Sequence, residues 1–96
     1  MTPSQALDQN RRFIRDIVTQ YRGSNVRVFG SVLKGLDTSA SDLDLLIDPD
    51  PEMSLFDIGA IRHELSSHLG IEVDVLTPKF LPEAIRADIL AEAQPV

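Results

Sequence analysis

Apolar side chains recur along this 96-residue chain at two spacings, and the change of period marks out its elements. Near the start, Leu7, Ile14, Ile17, Val18 and Tyr21 repeat at helical spacing. Thr2, Pro3 and Gln5 fit the start of that helix: a capping threonine, a proline at the first helical position and a glutamine placed to close a capping box. Gly23 follows as its stop, so one helix laid over the sheet is predicted. Val26-Arg27-Val28-Phe29 is a β-branched and aromatic run ending in a glycine turn, which predicts a strand. A second strand is read from Asp42-Leu43-Asp44-Leu45-Leu46-Ile47. Leu55, Ile58, Ile61, Leu65 and Leu69 return to helical spacing and end at Gly70, and Ile71 to Leu76 alternates again as a third strand. After Pro78 a last helix is expected from about Leu81 to Glu92. A strand, helix, strand order sets the second and third strands in one sheet. The fold class expected is α/β, a small mixed sheet with helices packed on it.

The alternation assigns faces. Successive strand side chains point to opposite sides, so Asp42, Asp44 and Leu46 share one face and Leu43, Leu45 and Ile47 the other. In the third strand Glu72, Asp74 and Leu76 oppose Ile71, Val73 and Val75. If the two strands are neighbours, Asp74 lies beside the Asp42/Asp44 pair. Adjacent carboxylates repel, and a half-buried strand keeps them only with a compensating cation. Hard oxygen ligands favour Mg²⁺ or Mn²⁺, and three carboxylates can bridge two metals about 3.5–4 Å apart, an arrangement suited to phosphoryl displacement. Upstream, Gly30 and Ser31 stand where a strand ends and a helical turn begins. Glycine lets the backbone approach a ligand closely, and free N–H groups with a serine hydroxyl are donors for phosphate oxygens. These residues point to a metal–nucleotide site.

Gly30-Ser31, ten intervening residues, Asp42-Leu43-Asp44 and the later strand carboxylate Asp74 resemble the signature of the DNA polymerase β-like nucleotidyltransferases. Phe-Gly-Ser-Val at the start and Ser-Asp-Leu-Asp-Leu-Leu-Ile-Asp at the end look like the minimal nucleotidyltransferases, specifically the MntA-type antitoxins paired with HEPN-domain toxins. The resemblance runs roughly from Val26 to Leu76. It implies the polymerase β-like nucleotidyltransferase fold, with Gly30 and Ser31 binding nucleotide phosphates, Asp42 and Asp44 holding Mg²⁺ (two ions), and Asp74 completing the metal site and helping to deprotonate the acceptor. The implied reaction is transfer of AMP from ATP to a tyrosine hydroxyl of a partner HEPN toxin, which makes the chain an antitoxin. Many minimal members carry arginines just after Gly-Ser. Here Val32, Leu33 and Lys34 stand there, and Lys34 is the candidate phosphate cation, a point charge without bidentate geometry. Two other readings remain open: a binding module that neutralises its partner by steric contact, and nucleotidyl transfer to a small molecule. The latter is disfavoured because such relatives use an added substrate-binding domain.

Length and charge narrow this further. Ninety-six residues predict a single domain, 1–96. The formal charge of −6 argues against direct nucleic-acid binding and for a basic protein partner. Cysteine is absent, which excludes thiolate chemistry. No apolar run reaches the ~18 residues of a membrane span, so a cytoplasmic protein with no membrane contact is expected. Asp48, Asp50 and Glu52 lack the glycine and terminal glutamate of a calcium loop and read as turn acids. His63 and His68, five apart, miss the spacing of a helical zinc pair and are read as solvated or partner-facing. Glu72 is read as an exposed acid, and Tyr21 and the phenylalanines as core or interface residues.

Overall fold

A computed structural model describes residues 1–96. The chain begins with α1 (Pro3–Gln9), held by the expected capping box: Thr2 Oγ1 accepts from Gln5 N–H at 3.3 Å and Gln5 Oε1 accepts from Thr2 N–H at 2.9 Å. The single helix read from the sequence is in fact two. At Asn10 the backbone leaves helical geometry (φ −131°, ψ 21°), and the Asn10 amide donates at 2.9 Å to the Ala6 carbonyl that a continuous helix would give to the Asn10 N–H. Asparagine side chains compete with the backbone in this way. The second helix, α2 (Arg11–Gln20), resumes at once, and both bury their apolar residues, Ala6 and Leu7 with Ile14, Ile17 and Val18, in the same core.

Gly23 does not stop α2. Arg22 takes the left-handed turn (φ 71°), and Gly23 opens β1 (Gly23–Phe29), where an added Cβ would lie 2.8 Å from Val18 Cγ1. Close packing of strand on helix, not backbone freedom, requires this glycine. Next come α3 (Gly30–Leu33), β2 (Leu43–Pro49), α4 (Leu55–Leu69), β3 (Val73–Leu76), a 3₁₀ turn (Pro78–Phe80), α5 (Glu83–Glu92) and β4 (Gln94–Pro95). The sheet order is β3-β2-β1-β4, with β1 antiparallel to β2 and β4, and β2 parallel to β3. This is the mixed sheet expected, extended by an edge strand too short to show in the sequence pattern.

Helix α4 forms the crossover between β2 and β3. Ser54 and Asp57 cap its start reciprocally, and Gly70 (φ 70°) ends it in the left-handed conformation that glycine adopts without cost. Its packed stripe begins at Ile58. Leu55, in the first turn, is 71% exposed, contrary to the periodicity, and Phe56 beside it is 90% exposed.

Each sheet face is covered. Leu43, Leu45, Ile47, Val73 and Val75 pack against α1, α2 and α4, while Phe29 and Leu46 form a smaller cluster with Leu81, against which Leu76 and Ile89 lie. The split follows the alternation read from the sequence. Leu46 is fully buried on the acidic face, a contribution of roughly 1.5–3 kcal/mol that fixes the strand register there. No helix is long and apolar enough to cross a membrane.

Candidate active site

Strand β1 ends at Phe29 and the chain turns into α3 through Gly30, whose φ is +75°. Across the ladder Asp44 pairs with Phe29 in the antiparallel register and with Asp74 in the parallel one. Phe29, Asp44 and Asp74 therefore form a row across three strands. A Cβ added at Gly30 would overlap Asp44 Oδ2, so this position demands glycine both for its backbone and for its space. Asp42 stands exposed just before β2, near enough for its charge to act on Asp44. Ser31 follows in the single turn of α3, partly exposed, and its carbonyl accepts from Leu36 N–H at 2.9 Å. Lys34 ends that turn, exposed and in no ion pair. With Gly30 it lines a groove of about 360 Å³ whose far wall is Ile85, Asp88 and Ile89 of α5. The six residues singled out from the sequence thus gather at one end of the sheet: the exit of β1 and the entries of β2 and β3.

Charge there is unbalanced. None of the four ion pairs includes Asp42, Asp44 or Asp74. Burial first, then the charges of Asp74 and Asp42, push the Asp44 carboxyl up to about 6. The carboxylates lie on one face without closing into a three-ligand cage. Asp44 and Asp74 stand next to each other across the ladder, close enough for Asp74 to raise the Asp44 carboxyl by charge and by a side-chain hydrogen bond. As a donor set they are all hard oxygen, which suits a small divalent cation and no soft one.

Residues 10–96 match the family described as nucleotidyltransferase domain. The chain belongs to that family. A Methanocaldococcus jannaschii protein provisionally named a protein adenylyltransferase is 31% identical to this nucleotidyltransferase over 87 residues, 91% of this chain and 94% of that one. A second protein of that organism, under the same provisional name, is 27% identical over 94 residues, 93% and 96% of the two chains. Among solved structures, one described provisionally as a minimal nucleotidyltransferase matches with a TM-score of 0.87 at 31% identity, covering 97% of this chain and 95% of that one. A crystal structure of a toxin–antitoxin with AMP-PNP shares the fold, with a TM-score of 0.76 at 16% identity over 90% of this chain and 71% of that one.

The residues set aside in the sequence have other tasks in this nucleotidyltransferase. Asp48 pairs with Arg27, Asp50 accepts from Glu52 N–H within the turn at 2.9 Å, and exposed Glu72 lies 3.8 Å from Arg62. His68 stacks on Phe13 with ring centroids 3.8 Å apart. Tyr21 donates to Glu64 Oε1 at 2.9 Å, away from the carboxylates. Two features at the site escaped the sequence reading. The wall that α5 lends to the Lys34 groove joins residues more than fifty positions apart, beyond any periodic signal. The other is the bond between Asp37 and Ser4, 33 residues apart, in the loop that leads to Asp42.

Proposed function

We propose that this nucleotidyltransferase transfers AMP from ATP to a tyrosine hydroxyl of a partner HEPN-type toxin and so acts as its antitoxin. The observation that carries the reading is Asp44, half-buried, set beside Asp74 and against Gly30, with no cation of the protein's own to balance it. The protein adenylyltransferase name of the relatives supports the acceptor class, and the toxin–antitoxin neighbour with its ATP analogue supports both partner and donor.

On this reading Gly30 and Ser31 take the nucleotide phosphates on backbone N–H groups and the serine hydroxyl, and Lys34 adds a point charge. Asp42, Asp44 and Asp74 are the residues that would hold Mg²⁺, as two ions, which supply charge neutralisation on the phosphates. Asp74, at the edge of the row, takes the acceptor proton. The acceptor oxygen bonds to the α-phosphorus, the bond to the bridging oxygen of the β-phosphate breaks, and pyrophosphate leaves. Positioning and charge do most of this work. With ATP as donor, a cytoplasmic setting fits.

Intact-mass spectrometry of the toxin after incubation with this chain, ATP and Mg²⁺ tests the proposal. A gain of whole AMP units, lost with Asp42→Asn/Asp44→Asn, is the expected result. An unchanged mass in a stable complex would replace it with steric neutralisation. That second reading is favoured by one observation, the exposed apolar residues Ile85, Leu90 and nearby Phe80 around α5. It requires that the aspartate variants still neutralise.

A further inference from the structure

Asp42 has an unusual mechanical situation for a residue asked to hold a cation. It makes no hydrogen bond through its side chain, and the chain is next fixed only at Leu43, whose N–H donates to the Glu72 carbonyl at 2.9 Å. Upstream, the Leu36 N–H is tied to Ser31. Between those two anchors, Thr38, Ala40 and Ser41 bond only to one another: Thr38 N–H to Ser41 Oγ at 2.9 Å, Ser41 N–H to the Thr38 carbonyl at 3.0 Å, and Ala40 N–H to Thr38 Oγ1 at 3.2 Å. Those bonds close the knot on itself and give it none to the rest of the fold. Its hydrogen-bonded tether to the rest of the protein is Asp37. The Asp37 carboxylate accepts from Ser4 N–H at 2.9 Å and from Ser4 Oγ at 2.6 Å, gripping the first turn of α1 with both oxygens. The two bonds to Ser4, hydroxyl first, hold the Asp37 carboxyl below its ordinary value, so it grips as an anion at neutral pH.

We infer that Asp37 is a positioning residue for the metal site: its two-pronged hold on Ser4 fixes the loop that delivers Asp42 to the Asp44/Asp74 row. The inference rests on the proposed role of Asp42 in holding a divalent cation. It assigns α1, otherwise only a cover on the sheet, a part in the site. The phosphate turn is unaffected, because Gly30 and Ser31 are anchored by their own bonds from Lys34 and Leu36. Loss of the grip therefore weakens cation binding without undoing the fold.

Mn²⁺ binding to the full chain, measured by electron paramagnetic resonance in the presence of a non-hydrolysable ATP analogue, tests this, with melting temperatures taken in cation-free buffer. Asp37→Asn is expected to raise the half-saturating Mn²⁺ concentration about 3- to 10-fold, short of the ~10–100-fold that follows removal of a ligand's direct hydrogen-bond partner. Ser4→Ala, which keeps the backbone donor, gives a smaller rise, and Ser4→Thr, which restores the hydroxyl, returns the wild-type value. Unchanged Mn²⁺ binding in Asp37→Asn, or a rise in Ser4→Ala that is equally present in Ser4→Thr, overturns the positioning role. A wild-type chain that binds no Mn²⁺ would instead remove the metal reading on which it stands.

Discussion

Asp44 and Asp48 lie four residues apart on β2, on the same face of the same strand, and their surroundings are opposite. Asp48 accepts from Arg27 Nη2 at 2.6 Å and from Asn25 Nδ2 at 2.8 Å, and the Arg27 side chain is only 13% exposed. Asp44 has no cation; across the parallel ladder it meets another carboxylate. The fold is thus able to set an arginine beside a strand aspartate where charge has only to be balanced. Four residues away it stacks acid on acid and excludes any side chain at Gly30 that would fill the gap. Stability alone would not select this. This end of the sheet, where Leu46 is buried between the two aspartates, is where the proposed cation would sit.

The largest break in that comparison comes from exchanging the charge itself. Asp44→Asn should lower AMP transfer by ~10³-fold or more, about 4 kcal/mol of transition-state stabilisation, in a single-turnover assay with labelled ATP. The same variant should melt higher than wild type in cation-free buffer, because it removes the repulsion with Asp74. Gly30→Ala acts next: a left-handed φ costs about 1–2 kcal/mol for a residue with a Cβ, and the Cβ overlaps Asp44 Oδ2, so both the chemical denaturation midpoint and transfer should fall. At the balanced end, Arg27→Met should cost about 1–2 kcal/mol, between an exposed pair and a buried one because Asp48 is 43% exposed. Transfer per folded molecule should not change there, as a urea titration paired with the same assay will report.

Acidity separates the two ends more gently. The Asp44 pKa is raised in the native state, so the unfolded chain releases its proton at the ordinary carboxylate value while the folded chain keeps it to about 6. The unfolded state then binds fewer protons in that window, and stability falls as pH rises from about 4 to about 6. Melting curves of cation-free wild type should show this fall and those of Asp44→Asn should not. Added Mg²⁺ with an ATP analogue should flatten the wild-type curve.

Much of this was legible in the residues. The alternation of acids and apolar residues carried through both strands, so the common face of Asp44 and Leu46, and of Asp74 with Leu76, follows from spacing once the strands are neighbours. The turn at Gly30 was legible because this glycine ends a β-branched run. The break at Asn10 was not, since Leu7 and Ile14 reach one core from two helices and leave the apolar stripe uninterrupted. Gly23 was misread for a related reason: glycine after a helix usually signals its end, and here the left-handed residue is Arg22 while the glycine serves contact with Val18. Leu55 kept the helical spacing yet lies beyond the packed part of α4. The Asp37–Ser4 grip and the α5 wall join distant parts of the chain, and no local pattern encodes them.

The central claim is that Asp44 is left unbalanced so that a nucleotide-bound cation can complete it. Carbon-detected nuclear magnetic resonance of the Asp44 carboxyl, titrated with and without Mg²⁺ and a non-hydrolysable ATP analogue, measures that directly. The account predicts a midpoint of about 6 in the free chain, falling by at least about one unit when both are added. A midpoint in the ordinary carboxylate range for the free chain, with no response to Mg²⁺ and the analogue, would contradict it.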